Sequence, residues 1–427
     1  MYVGVGRANI TPRVGGHLAG YGWDVFSKSI HDDLAATALA IKTEEKCVVL
    51  VSATVCILDE ELVAEVRGIL CKKYSFLCCD DIMIAATHTH SGPYSYSTVG
   101  WGSKDIAYCE EIFVPNVVKA VEAAIRFMVP AEMGVGETQS RVGVNRRQLG
   151  PEGAIDFGQN PWAMYDPTMT VVAFRSEAGK PIANLVHYCC HGTAAGTNTE
   201  ITRDWPGVMI DRLEAESGAV TMFFNGTAGD VGPRLTNGKT KGDIHYVEEL
   251  GAVAAMDAVR AYRMIRTYRQ VWPETVSGEI RLPLSPMLSR EEAAAGLERY
   301  RQLPKTNVHQ RMADYYQKVL NAYLFGFTAP KEVTLPVTLL RLGDLVLAPL
   351  GFEVFCEIGL RLRAYSPYAH TLIVGYANTK SRYFPSQDQI CRGGYEIMMS
   401  RTADVCPYAP DADDYLIRGL LAMIDRL

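Results

Sequence analysis

Residues 47–93 read CVVLVSATVCILDEELVAEVRGILCKKYSFLCCDDIMIAATHTHSGP. Cys47 to Ala53 is an apolar run of strand length, and from Asp59 to Lys73 the residues Leu62, Val66, Ile69 and Leu70 fall at helical spacing. Asp81-Ile-Met-Ile-Ala then returns to a strand pattern and leads into His88-Thr-His90 and a Ser-Gly-Pro turn. Strand, helix and strand in succession predict an α/β architecture.

The same alternation continues outward. A helix is expected near Ile106 to Met128, strands at Val171 to Phe174, Ala183 to Cys190 and Val220 to Asn225, and a helix at Pro206 to Ser217. From Val247 to about Phe325 helical patterns dominate, notably Ser289 to Leu297 and Val308 to Leu324. Ser289 with Glu292 forms a capping box that marks where the first of these starts. Val333 to Leu347 alternates as a hairpin turning at Gly343-Asp344. No internal repeat, low-complexity linker or composition break stands out, so the expectation is one domain, residues 1–427, with a helical insertion.

Lys and Arg total 42 against 48 Asp and Glu, and no run of five or six like charges occurs, which argues against a nucleic-acid surface. The most apolar stretch, Leu335 to Phe355, is broken by Arg341, Asp344 and Glu353, so no transmembrane segment is expected. Eleven cysteines are thin for a disulfide framework in 427 residues, and MYVGVGRANITP lacks the pattern of a secretory signal. Free thiols and a cytoplasmic location follow as expectations, with Cys78-Cys79 and Cys189-Cys190 read as buried small hydrophobes.

Candidate chemistry sits at strand ends, where α/β proteins usually build their sites. In an extended strand His88 and His90 would share one side. A second cluster, His187-Tyr-Cys-Cys-His191-Gly, would place His187, Cys189 and His191 on one face. Imidazoles converging from two strand ends suit Zn2+, which in catalytic sites takes about three protein ligands. The spacing does not match H-E-x-x-H, which excludes the helix-borne peptidase site. Asn225-Gly-Thr-Ala-Gly-Asp-Val-Gly-Pro matches no phosphate-binding motif; it reads as a tight glycine turn able to approach a ligand, with Asp230 its one acid/base or supporting residue.

The segments Gly4-Val-Gly-Arg-Ala-Asn-Ile-Thr-Pro, His31-Asp-Asp-Leu-Ala-Ala-Thr-Ala-Leu, Thr87-His-Thr-His-Ser-Gly-Pro, Val144-Asn-Arg, His191-Gly-Thr, Arg203-Asp-Trp-Pro-Gly, Gly229-Asp-Val and Gly375-Tyr-Ala-Asn come in the order found in neutral/alkaline non-lysosomal ceramidases. The chain resembles the catalytic domain of that family from residue 4 to about residue 400. The resemblance implies mixed central β-sheets flanked by helices, and no counterpart of the family's immunoglobulin-like C-terminal domain. It also implies one Zn2+ per chain, held by His88, His191, Glu353 and Tyr383, in an enzyme that cleaves an N-acyl bond of a lipid or small-molecule substrate. Glu357 and Tyr376 are nearby rivals for the last two positions. His90 would be the general base, Arg146 and Tyr395 would face the oxyanion, and Asp230 would support catalysis.

One departure bears on substrate. Where the ceramidases carry a serine, in G-D-V-S-P-N, this chain has Gly232. A serine nucleophile is thereby excluded at that position, and a smaller N-acyl or ester substrate is expected. The alternatives are a zinc esterase or deacetylase acting on a small metabolite or sugar, and a catalytically silent binding protein.

Overall fold

A computed structural model describes residues 1–379 and 381–427. Twelve of the strands among the described residues fall into three successive units of one topology. In the first, Tyr2–Asn9, Ala35–Lys42 and Cys47–Ala53 run antiparallel, helix Glu60–Lys73 crosses over, and Ile82–Ala86 returns parallel to Cys47–Ala53. The second repeats this order with Val129–Gln139, Thr168–Ser176, Pro181–Tyr188, helix Trp205–Ser217 and Val220–Asn225. The third uses Pro273–Pro283, Glu332–Leu342, Leu345–Pro349, helix Cys356–Tyr365 and His370–Val374. A further helix follows each unit, at Val114–Arg126, Ile244–Met264 and Ala412–Ile424.

The expectation of no repeat is therefore corrected at the level of structure. Inserts of different length separate equivalent strands, and the units share topology without a shared side-chain pattern.

The first two units join edge to edge through Tyr2 and Val3 against Pro130 and Val129, giving one eight-stranded mixed sheet. All three units turn an apolar face onto one common core. Leu50 and Met83 come from the first, Leu185, Met222 and Phe224 from the second, and Leu347, Leu372 and Val374 from the third. Their other faces are covered by the helices, each pair with its own apolar cluster. Burial on both faces explains why strands such as Cys47–Ala53 read as continuous apolar runs rather than alternating ones.

Several local expectations hold. The Ser289 capping box opens helix Arg290–Arg301, and the hairpin between Glu332–Leu342 and Leu345–Pro349 turns at Gly343 with φ 60°. The stretch read as mainly helical is interrupted by strand Pro273–Pro283, which pairs along its whole length with Glu332–Leu342. All eleven cysteines are free thiols, but Cys78 is exposed and Cys79 half-buried, because they lie in the turn before Ile82–Ala86. Cys189 and Cys190 are buried as expected. No helix among the described residues is long and apolar enough to cross a membrane.

Candidate metal centre

The three units converge at the ends of their third and fourth strands, and each sends one side chain to the meeting point. His88 follows Ile82–Ala86, His191 follows Pro181–Tyr188, and Glu353 follows Leu345–Pro349 within the short strand Phe352–Val354. Their ligand atoms all lie within 4.8 Å of one another. Glu353 Oε2 is 3.5 Å from His88 Nε2 and 3.3 Å from His191 Nε2.

Backbone contacts fix this convergence. Thr89 bridges Gly192 in parallel, and the His90 N–H donates to the Gly192 carbonyl at 3.2 Å, tying the two histidine segments together. Gly229 N–H donates to the Val354 carbonyl at 2.8 Å, and a Cβ at Gly229 would stand 2.4 Å from the Glu353 carbonyl oxygen. The glycine turn thus approaches the carboxylate-bearing segment, where the sequence reading had it approach a ligand.

Strand alternation does not place the histidine pair. Ile82–Ala86 ends before His88, whose φ is 68°. A left-handed non-glycine residue costs about 1–2 kcal/mol, and the surrounding structure must hold it there. His88 N–H donates to the Val55 carbonyl at 3.0 Å, and its ring Nδ1 lies 2.8 Å from the Cys56 carbonyl. His90 then turns its Nε2 to within 3.1 Å of His88 Nε2. Gly20, at φ 106°, lets it fit: a Cβ there would be 2.4 Å from His90 Nδ1. Likewise Pro181–Tyr188 stops short of His191. His187 Nε2 lies 2.8 Å from the Ile373 carbonyl and Cys189 Sγ 3.5 Å from Thr227 Oγ1, so neither joins the centre.

The donor set fits a divalent metal. Each ligand histidine turns Nδ1 to main-chain carbonyls, Cys56 for His88 and Ala228 and Val231 for His191, so Nδ1 carries the proton and Nε2 presents its lone pair inward. His191 Nε2 and Glu353 Oε2 are buried without a hydrogen-bond partner among the described residues. Buried polar atoms are rarely left so, and two imidazoles with a carboxylate suit Zn2+. Burial pulls His88 down to about 3 and His191 well below the usual imidazole value, while it pushes Glu353 up against the opposing pull of His88 and Arg146.

Tyr383 pairs with Glu353 across the short parallel strands Phe352–Val354 and Arg382–Phe384, and its hydroxyl lies beside that carboxylate. Its rival Tyr376 stacks on His88 with ring centroids 4.1 Å apart, and its hydroxyl is buried without a partner among the described residues. The other rival, Glu357, lies on helix Cys356–Tyr365 beside Asp388 and Ser386.

A cavity of about 660 Å3 opens over the centre, lined by His88, His90, Glu353, Tyr383 and Tyr395. Arg146 and Asp230 are not among the residues that line it, although Arg146 acts electrostatically on His88, His90, His191 and Glu353. Arg146 Nε donates to Glu396 at 2.8 Å and Nη2 to the Tyr383 hydroxyl at 2.9 Å, so this guanidinium links Glu396 to Tyr383. The Asp230 carboxylate accepts from Cys356 N–H at 2.8 Å and Asn145 Nδ2 at 3.0 Å, which ties the start of helix Cys356–Tyr365 to the Arg146 strand. Arg147 also pairs with Glu396, at 2.8 Å. Sequence reading missed Glu396, Gly20 and Cys56; Glu396 sits next to Tyr395, but nothing in its local pattern marks it as the partner of two arginines some 250 positions earlier.

Gly232 lies off the cavity wall as well. A Cβ there would come within 2.8 Å of Thr240 Cβ and 3.5 Å of Arg146 Cβ, so Thr240 fills the space a serine side chain would need.

Fold and site together define a mixed α/β protein with a buried two-histidine, one-carboxylate centre under an open cavity. The family model for neutral/alkaline non-lysosomal ceramidase, N-terminal, matches residues 1–248, and the chain belongs to that family. It is similar to the neutral ceramidase of Pseudomonas aeruginosa, at 23% identity over 386 residues, covering 74% of this chain and 56% of the relative. The chain thus spans a little over half the length of that curated relative. The crystal structure of the P. aeruginosa neutral ceramidase matches all of this chain and 75% of its own, at TM-score 0.75 and 21% identity. A ceramidase complexed with C2 matches over the same shares with the same TM-score and 20% identity.

Proposed function

We propose that this chain is a zinc-dependent hydrolase that cleaves an N-acyl bond with water. The observation that carries the reading is the unpartnered, buried pair His191 Nε2 and Glu353 Oε2, 3.3 Å apart beside the cavity that His88 and Glu353 line. His88, His191 and Glu353 would hold the metal, with Tyr383 beside them. When bound, Zn2+ supplies Lewis-acid polarisation of the acyl oxygen and brings water activation to neutral pH.

The chain's own residues do the rest. His90, pulled well below the usual imidazole value by burial and by its neighbours His88 and His191, is neutral at pH 7 and accepts the proton of the attacking water. It then donates that proton to the leaving nitrogen as the C–N bond breaks, giving a carboxylic acid and an amine. Tyr395, on the cavity wall, directs its phenol toward the developing oxyanion. Arg146 holds Tyr383 through the 2.9 Å bond and is itself held by Glu396. Gly232 offers no nucleophile, which favours direct attack by water. The shared three-unit core supports a single domain.

The test is metal content with turnover. Purified protein is expected to carry about one Zn2+ per chain. His88→Ala and His191→Ala are expected to lose it together with hydrolysis of a panel of N-acyl and O-acyl compounds. Protein that has never met chelator and yet lacks metal would overturn the proposal. Hydrolysis confined to the O-acyl members would move the assignment to an esterase.

A further inference from the structure

The segment after Pro273–Pro283 decides what meets the metal centre. Helix Asn307–Leu324 lays Gln310, Arg311, Asp314 and Lys318 along one wall of the cavity, and Arg382 enters beside Tyr383. Of these charges, Asp314 and Lys318 satisfy each other at 2.7 Å. Arg311 and Arg382 are half-buried, and among the described residues neither has a carboxylate within 4.0 Å. Arg311 has only Thr402, with Nε 3.3 Å from its hydroxyl and Nη2 3.5 Å from its carbonyl. Arg382 lies over the Tyr408 ring, 5.7 Å from the centroid.

Two half-buried guanidinium groups near one another, without a counter-ion, are costly unless an anion completes them. The planar fork of arginine matches carboxylate or phosphate oxygens. Burial weighs most against the charged form of Arg311, Tyr395 and Asp314 favour it in part, and the neighbouring Arg382 opposes it. Of the cavity's other acids, Glu353 belongs to the metal centre and Glu60 and Asp404 are exposed, and none lies within ion-pair distance of either arginine among the described residues. Trp23, Tyr96, Val99, Trp101 and Met399 supply an apolar share of the wall. At about 660 Å3 the space suits a small-molecule ligand.

The structure assigns to Arg311 and Arg382 the recognition of an acidic group on the substrate, so that the compound hydrolysed is an N-acyl amide carrying a carboxylate or a phosphate. This rests on reading the cavity as the substrate site of the hydrolase proposed above. The acidic group lies toward helix Asn307–Leu324 while the acyl carbon lies over His88 and Glu353.

The test measures binding and turnover separately on the metal-loaded protein. N-hexanoylglycine, N-hexanoylethanolamine and its O-phosphate are titrated by isothermal calorimetry, then assayed for hexanoate release. One or both acidic compounds are expected to bind at least tenfold more tightly than the neutral one. Arg311→Gln and Arg382→Gln are each expected to erase most of that ratio, with unchanged circular dichroism showing that the fold survives. Whichever acidic compound gains more identifies carboxylate or phosphate as the natural group. Equal affinities in the unaltered protein, or a preference that survives both substitutions, would overturn the assignment. Preferential binding without hexanoate release would uphold it and refute the hydrolase reading. Release at equal kcat/KM from all three, without a binding preference, would do the reverse.

Discussion

Replacing Glu396 with glutamine tests whether the network behind Tyr383 organises the centre. Glu396 is buried and accepts from Arg146 on one oxygen and Arg147 on the other, each at 2.8 Å, with both arginine side chains no more than 7% exposed. Neutralising it strands two buried cations. Breaking a buried ion pair from one side costs about 3–5 kcal/mol. For a chain of 427 residues the unfolding entropy at the midpoint is about 0.9 kcal/mol per degree, scaled from about 2.1 cal/mol/K per residue, so the expected fall in Tm is about 3–6 °C. Arg146 would lose its anchor and Tyr383 its fixed donor, and the loss of such a supporting contact typically weakens metal affinity by about 10- to 100-fold. Differential scanning fluorimetry and zinc competition against a chromogenic chelator read the two effects. An E396Q protein that melts within a degree of the parent and holds zinc equally well would refute the claim that Glu396 positions the site.

Three further outcomes follow from the geometry. Asp204, buried and accepting from the N–H groups of Ala194, Ala195 and Trp205, is pushed by burial from 3.8 up to about 6. The folded chain therefore binds more protons than the unfolded one between these values, and this group's contribution to stability falls as pH rises through that window, by roughly 2–3 kcal/mol. Asp204→Asn loses acceptors and is less stable throughout, but its Tm deficit against the parent is expected to shrink from pH 4 to pH 7; a deficit that is flat or widens with pH would refute the raised value. Gly232→Ser forces a side chain against Thr240 and is expected to cost about 1–3 kcal/mol, and adding Thr240→Gly is expected to recover part of it; additive losses in chemical denaturation would show that the two positions do not share that space. Gly20→Ala places a Cβ 2.4 Å from His90 Nδ1 at a φ of 106° and is expected to lower kcat through displacement of His90 while leaving zinc content near one per chain; unchanged kcat would separate His90 from the reaction.

Much of the fold is legible in local pattern. Cys47–Ala53, helix Glu60–Lys73, Val220–Asn225 and the Ser289 capping box lie where periodicity and capping place them, because burial on one or both faces leaves a mark on consecutive residues. His88 and His191 stand out because their motifs sit at strand ends, whereas only the family resemblance names Glu353. The helical reading of residues 247–325 misses Pro273–Pro283, a polar-patterned edge strand whose pairing with Glu332–Leu342 is a long-range event.

Sequence alone thus determined most of the elements around the site and which residue types are available for a metal. Only the tertiary structure decided how they meet. The repetition of one topology three times is carried by hydrogen-bond ladders, which any apolar sequence of the right period can form, so it leaves no repeated residues to read. The left-handed turn at His88, the Arg146–Glu396 and Asp230–Cys356 contacts and the unpaired Arg311 and Arg382 each depend on atoms contributed by segments far apart in the chain. A residue's chemistry is set by the partners it finds there, and no local pattern records them.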